Sequence, residues 1–154
     1  MTADAAASST APHDAYELRA EIPSVATYRM LRPGSGLSEK SLEAAERGLP
    51  GTWYAVTVYL GDAPVGMGRI IGDGGLFFQV VDICVLPEHQ RRGLGKRIMR
   101  ALSDEIARRV PESAHVSLIA DGDAKFLYEQ YGFVETAPGG VGMAYVVGGT
   151  REDV

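Results

Sequence analysis

Cysteine is nearly missing from this chain of 154 residues, and its single member, Cys84, cannot close an internal disulfide. A disulfide-stapled scaffold is thereby excluded. Long apolar runs are missing too, since none approaches the roughly 18 residues a membrane span requires. The first residues, Met1 to Asp14, lack the basic start and apolar stretch of a secretory signal, so the cytoplasm is the expected location. Positive charge is not in excess: the formal net charge is −5, which disfavours nonspecific nucleic-acid binding and suits a cationic partner. His13, His89 and His115 are scattered without metal-ligand spacing, so no metal is expected. No internal repeat and no domain-separating linker interrupts the chain. With a hydrophobic fraction of 45% and a charged fraction of 23%, the composition is that of one ordinary globular domain.

Ala, Ser and Thr dominate residues 1–14, which read as a disordered tail, and 148–154 read as a flexible C-terminal end, leaving 15–147 for the domain. Tyr16 to Ile22 suits a strand, and Ser24 to Leu31 a helix ending near Pro33-Gly34-Ser35-Gly36. Ser41 to Arg47 suits a second helix stopped by Gly48 and Pro50. Trp53 to Leu60, Val65 to Ile71 and Leu76 to Leu86 have strand character, the last two joined by Gly72-Asp73-Gly74-Gly75 as a hairpin turn. From Gly93 the period changes, with Leu94, Ile98, Leu102 and Ile106 recurring every fourth residue. His115 to Ala120 then reads as a strand, Ala124 to Tyr131 as a helix stopped by Gly132, and Phe133 to Thr136 and Val141 to Val147 as final strands. The expected class is α/β: a mixed, twisted sheet flanked by helices, with a parallel strand-helix-strand unit over Leu76 to Ile119.

The turn Gln90-Arg91-Arg92-Gly93-Leu94-Gly95-Lys96 lies between a buried strand and the long helix. Glycines let backbone N–H groups approach a ligand, and the first amides of a helix have no internal partner. With the positive end of the helix dipole they make a site for an anion such as a pyrophosphate. Arg91, Arg92 and Lys96 add cations where a helix ordinarily prefers acids. A P-loop is excluded because Arg97 follows Lys96, and a dinucleotide fingerprint because Ile98 stands where its third glycine belongs. A glycine turn with a solvated basic face is the simpler reading of the same letters.

Ile83-Cys84-Val85-Leu86-Pro87 followed by Gln90-Arg91-Arg92-Gly93-Leu94-Gly95 resembles the acetyl-coenzyme A signature of the GNAT superfamily of N-acetyltransferases. Asp121 to Phe133 is similar to its second signature, an Asn-led helix ending in Tyr, two or three residues, then Gly-Phe. The segment departs from that pattern in carrying Asp121 where many members have Asn. The resemblance covers Trp53 to Val147, and weakly the front third. It implies a GNAT-like domain that binds acetyl-coenzyme A, with Ile83, Cys84 and Val85 pairing with the pantetheine arm. Gln90, Arg91, Arg92, Gly93, Leu94, Gly95 and Lys96 would hold the phosphates, and Asp121 and Tyr128 would complete the cofactor site. Through Asp82 and the Asp121 to Phe133 segment, the chain also resembles small-amine acetyltransferases of the plant serotonin type. The implied reaction is acetyl transfer to a primary amine, a small molecule, by direct attack in a ternary complex. The alternatives are a protein lysine or N-terminal acetyltransferase and a non-catalytic acyl-coenzyme A sensor. A homodimer is in keeping with the family.

Such a reaction has two proton problems. An amine of lysine type, with a pKa near 10.4, has only about one molecule in a few thousand deprotonated at pH 7, and the departing thiolate benefits from a proton donor. Tyr128 stands where the family places its acid; packing on the helix's apolar stripe is its plainer role. Asp82, an acid within an apolar strand, is the candidate base, or else a carboxylate hydrogen-bonded to structure. Cys84 suits a buried core thiol better than a nucleophile. Tyr28, Met30, Trp53, Tyr54, Phe77, Phe78 and Tyr145 are candidates for an acceptor pocket, though such residues are more often core.

Overall fold

The computed structural model describes residues 15–154, so the expected N-terminal tail lies outside the described residues. Strand β1 (Tyr16–Arg19) leads to helix α1 (Val25–Gly34), whose N-cap Ser24 accepts from the Thr27 amide, and to helix α2 (Leu42–Gly48), capped likewise by Ser41 on Ala44. Strands β2 (Tyr54–Leu60), β3 (Ala63–Gly72) and β4 (Phe77–Val85) follow, then helix α3 (Leu94–Arg109), strand β5 (His115–Ser117) and helix α4 (Lys125–Glu129). α1 runs beyond the expected stop at Leu31 and carries Pro33 in its last turn.

The five strands form one sheet in the order β1-β2-β3-β4-β5, antiparallel except for the parallel β4–β5 pair. α3 supplies the crossover that a parallel pair needs. Between β3 and β4 the Asp73 carboxylate accepts the amides of Gly75, Leu76 and Phe77. These bonds fix the turn and hold that carboxyl below its ordinary range.

Two clusters bury the apolar stripes. On one side Leu94, Ile98, Met99 and Leu102 of α3 pack on Val56, Val58, Ile70, Phe78 and Val80. On the other, Tyr28 and Leu31 of α1 and Ala45 of α2 pack on Met67 and Cys84. α3 approaches β3 closely because Gly68 has no side chain: a Cβ there would lie 2.5 Å from Ile98 Cγ2 and 3.1 Å from Leu102 Cδ1. Ile98 is β-branched and fully buried, so it cannot swing aside. Gly68→Ala should therefore lower stability by about 1–3 kcal/mol, the usual cost of overpacking, measurable by urea unfolding. An unchanged midpoint would mean that α3 is free to move outward.

Three strand expectations are corrected. β5 ends at Ser117 instead of continuing to Ala120. Phe133–Thr136 and Val141–Val147 form no strand, and Val141, Met143, Tyr145 and Val147 are all exposed. The apolar alternation of Val141 to Val147 finds no partner strand and no buried face among the described residues. Within the C-terminal end, Thr150 caps a short 3-10 turn, Arg151–Asp153.

Candidate active site

β4 pairs with β5 only from Phe77 to Gln79, opposite His115 to Ser117. Beyond Gln79 the strands part, because β5 stops at Ser117 while β4 continues to Val85 along β3. Among the described residues the β5-facing edge of Val80–Val85 therefore carries peptide groups with no neighbouring strand, a template for an extended, amide-bearing ligand. Ile83 and Val85 contribute their side chains to the α3-side core, and Cys84 turns the other way. Cys84 is buried, and burial pushes its thiol up to about 11, so it holds no thiolate at neutral pH.

The glycine turn follows directly. Gln90 donates from Nε2 to the Val85 carbonyl at 2.9 Å, so its side chain fastens the turn to the end of β4. Arg91 at φ 62° and Gly93 at φ 76° are both left-handed, and Gly93 is the N-cap of α3 without any side-chain cap. The first turn-closing bond runs from the Arg97 amide to the Gly93 carbonyl. The amides of Leu94, Gly95 and Lys96 precede it and have no intrahelical acceptor. The first turn holds no acid. A Cβ on Gly95 would meet only Leu127 Cδ2, at an ordinary 3.7 Å. Packing alone therefore does not require glycine at this position.

The second motif abuts the first. Leu127 of α4 lies beside Gly95, and the Tyr131 hydroxyl donates to the Lys96 carbonyl at 3.0 Å. Tyr128, between them on α4, is half-buried against Phe133, with ring centroids 6.4 Å apart. Burial first, and the Asp121 charge second, raise its phenol above the ordinary tyrosine range. Its hydroxyl has no hydrogen-bond partner among the described residues. It lines a cavity of about 440 Å³ together with Leu118 and Ala120, where the chain leaves β5, but no residue of Val80–Val85 lines that cavity.

Asp82 occupies a different setting. In β3–β4 pairing the register shifts between Met67 and Arg69, so Gly68 faces both Asp82 and Ile83. This is a bulge, and Asp82 takes φ 59°, which aspartate tolerates better than most residues. Alternation reverses across it: Phe78 and Val80 before it and Ile83 and Val85 after it all serve the α3-side core. An unbroken strand would put Asp82 beside Val80; the bulge turns it toward α1 instead. There Arg32 Nη1 reaches Oδ1 and Arg69 Nη1 reaches Oδ2, each at 2.5 Å, and the Tyr28 hydroxyl donates to Oδ1 at 3.1 Å. The side chains of Asp82, Arg32 and Arg69 are only 6%, 10% and 8% exposed. Both carboxylate oxygens thus accept from charged donors, with three of about four acceptor positions taken. Tyr128 and Asp82 share neither a hydrogen bond nor a cavity.

Arg32 and Arg69 escaped the sequence reading, although Arg69 interrupts an apolar strand in the same way as Asp82. Among the aromatic candidates Tyr28 is brought to this cluster, Trp53 and Phe78 pack on one another at 4.9 Å, and Met30 and Tyr145 are exposed. No group of His, Cys, Asp and Glu suited to a metal occurs among the described residues.

Residues 37–142 match the model of the acetyltransferase (GNAT) domain. A solved Staphylococcus aureus protein of unknown function, a probable acetyltransferase, is 44% identical and superposes with a TM-score of 0.81 over 85% of this chain and 98% of its own. A GNAT-family acetyltransferase of Streptococcus pneumoniae shares the fold at TM-score 0.69 and 24% identity, over 85% of this chain and 97% of its own. The uncharacterized N-acetyltransferase ycf52 of Porphyra purpurea is 32% identical over 79 residues, 51% of this chain and 44% of that one. The chain thus spans less than half the length of that curated relative.

Proposed function

Because the chain belongs to the GNAT family of acetyltransferases, we propose that it moves an acetyl group from acetyl-coenzyme A to the primary amine of a small molecule, by direct attack in a ternary complex. The observation that carries this reading is the open edge of Val80–Val85 running straight into the uncapped start of α3. An extended arm of amides suits the first and a pyrophosphate suits the second, so the two adjoining features match the two halves of coenzyme A.

Acetyl-coenzyme A supplies the activated thioester carbonyl. The amides of Leu94, Gly95 and Lys96 hold its phosphates, helped by the Lys96 ammonium, while the backbone of Ile83, Cys84 and Val85 aligns the arm. Gln90 keeps the turn in place through Val85. Tyr128, held protonated by its burial, gives its phenolic proton to the departing sulfur. Asp82 acts through Arg32 and Arg69 as a clamp on the bulge, and water removes the amine proton. The reading is tested by thiol release from acetyl-coenzyme A across a panel of primary amines. Release above the hydrolysis background with some of them is the expected result, and tight coenzyme A binding without release from any would turn the chain into a sensor.

Gly95→Val tests the phosphate site, because a Cβ there meets only Leu127 Cδ2 at an ordinary 3.7 Å, while a branched side chain crowds a ligand's approach to the amides of the turn. The Kd for coenzyme A should rise at least about tenfold, close to 1.4 kcal/mol, with little change in melting temperature of the ligand-free chain. Calorimetric titration checks it; an unaltered Kd would move the pyrophosphate elsewhere.

A further inference from the structure

The Asp82 cluster is not neutral. Two buried guanidiniums face one carboxylate, and every nitrogen of Arg32 has a partner: Nη1 holds Asp82, Nε the Ser38 carbonyl and Nη2 the Ser38 hydroxyl. Arg69 is not. Its Nη1 holds Asp82 and its Nε the Thr52 hydroxyl at 2.9 Å, while Nη2 has no partner among the described residues. No buried side-chain nitrogen or oxygen among those residues lacks a hydrogen bond, so Nη2 reaches solvent. Arg69 also lines a cavity of about 290 Å³ between α1, α2 and β3.

That cavity has a consistent chemistry. Its wall is apolar at Ala44, Ala45 and Leu49, its cations are Arg69 and Lys40, and no acid lines it. Lys40 forms no ion pair among the described residues. The acids nearest in sequence are engaged elsewhere, Glu39 with Arg29 at 3.7 Å and Glu43 with Arg47 at 2.8 Å. A buried excess of one positive charge, a spare guanidinium donor and a lysine at the same opening are costly unless an anion completes them. The cluster also holds β4 at Asp82, one residue from the segment assigned to the pantetheine arm.

We propose that this cavity is an anion subsite for the acceptor, which is then an amine that also carries a carboxylate. The inference rests on the acetyl-transfer reading for the identity of the ligand, and on Arg69 and Lys40 for its charge. A monoanion suits the site better than a phosphate dianion, because Asp82 stands directly behind Arg69 and would repel the second charge.

Reaction products allow a test that does not need turnover. The full chain, isotope-labelled and saturated with coenzyme A, is titrated with N-acetyl-β-alanine and with its uncharged counterpart N-propylacetamide, while the Arg69 Nε–H signal is followed by NMR. The carboxylate ligand should move that signal and the neutral one should not. Lys40→Met, which removes a half-exposed side chain and no buried bond, should weaken the carboxylate ligand about tenfold, the worth of one charge-assisted hydrogen bond. Equal titration by both ligands, or no movement of the Arg69 signal by either, overturns the subsite. Tighter binding of N-acetyl-O-phosphoethanolamine overturns the choice of carboxylate in favour of phosphate. Binding at Arg69 together with no thiol release from any amine would overturn the transfer reading and leave the anion site standing.

Discussion

Tyr128→Phe should lower kcat by about 10²–10⁴, the usual contribution of a positioned acid, while leaving coenzyme A affinity nearly unchanged. The substitution removes one oxygen that has no hydrogen-bond partner among the described residues, and it keeps the ring that packs on Phe133. Stability should therefore hold. Burial and the nearby Asp121 raise the Tyr128 phenol above its ordinary value. In the wild type the alkaline limb of kcat should accordingly lie above about pH 10, and in the variant it should vanish. A loss confined to KM would make Tyr128 a binding residue. A kcat within about threefold of wild type demands a single-turnover measurement, since slow product release can mask the chemical step. An unchanged chemical step there would remove Tyr128 from the mechanism.

Asp82→Ala should have the largest effect on stability. It leaves Arg32 and Arg69 buried, adjacent and without their shared carboxylate, and breaking a buried ion pair from one side costs about 3–5 kcal/mol. For a chain of this size that corresponds to a fall in melting temperature of roughly 10 °C or more. The variant also loses the acceptor of the Tyr28 hydroxyl, a second link between α1 and the sheet. Replacing Asp82, Arg32 and Arg69 together by apolar residues should recover much of the loss, because the same argument makes the unpaired charges, and not the missing contact, the main cost. Scanning calorimetry decides this: a shift below about 2 °C for Asp82→Ala would mean that water reaches the guanidiniums and the clamp is weak.

The two signatures were legible because each is local. Gly93 and Gly95, the missing cap and the first-turn cations of α3 are consecutive residues, and a helix start imposes its unsatisfied amides whatever surrounds it. The four-residue recurrence of Leu94, Ile98, Leu102 and Ile106 fixed α3 in the same way, because one face of a helix is set by its own period. Caps at Ser24 and Ser41 and the Asp73 turn also depend on neighbours only a few residues away.

Asp82 shows where that legibility stops. Strand alternation gave it a face, but the side on which it lies depends on the bulge opposite Gly68, a register event between two strands. Its partners stand 50 and 13 residues away, and nothing in the pattern around Asp82 announces them. The same holds at the other end of the chain: Val141 to Val147 alternate as a strand would, yet a strand exists only where an edge accepts it, and here no pairing forms. By itself the sequence thus determined the elements with internal hydrogen bonding or internal period, together with the glycine turn before α3 and the place of Tyr128 on α4. Tertiary structure alone decided how far β4 and β5 run together, which way Asp82 faces and that Arg32 and Arg69 bind it. Those outcomes are set by pairing and charge burial between distant segments, whose energies no local pattern contains.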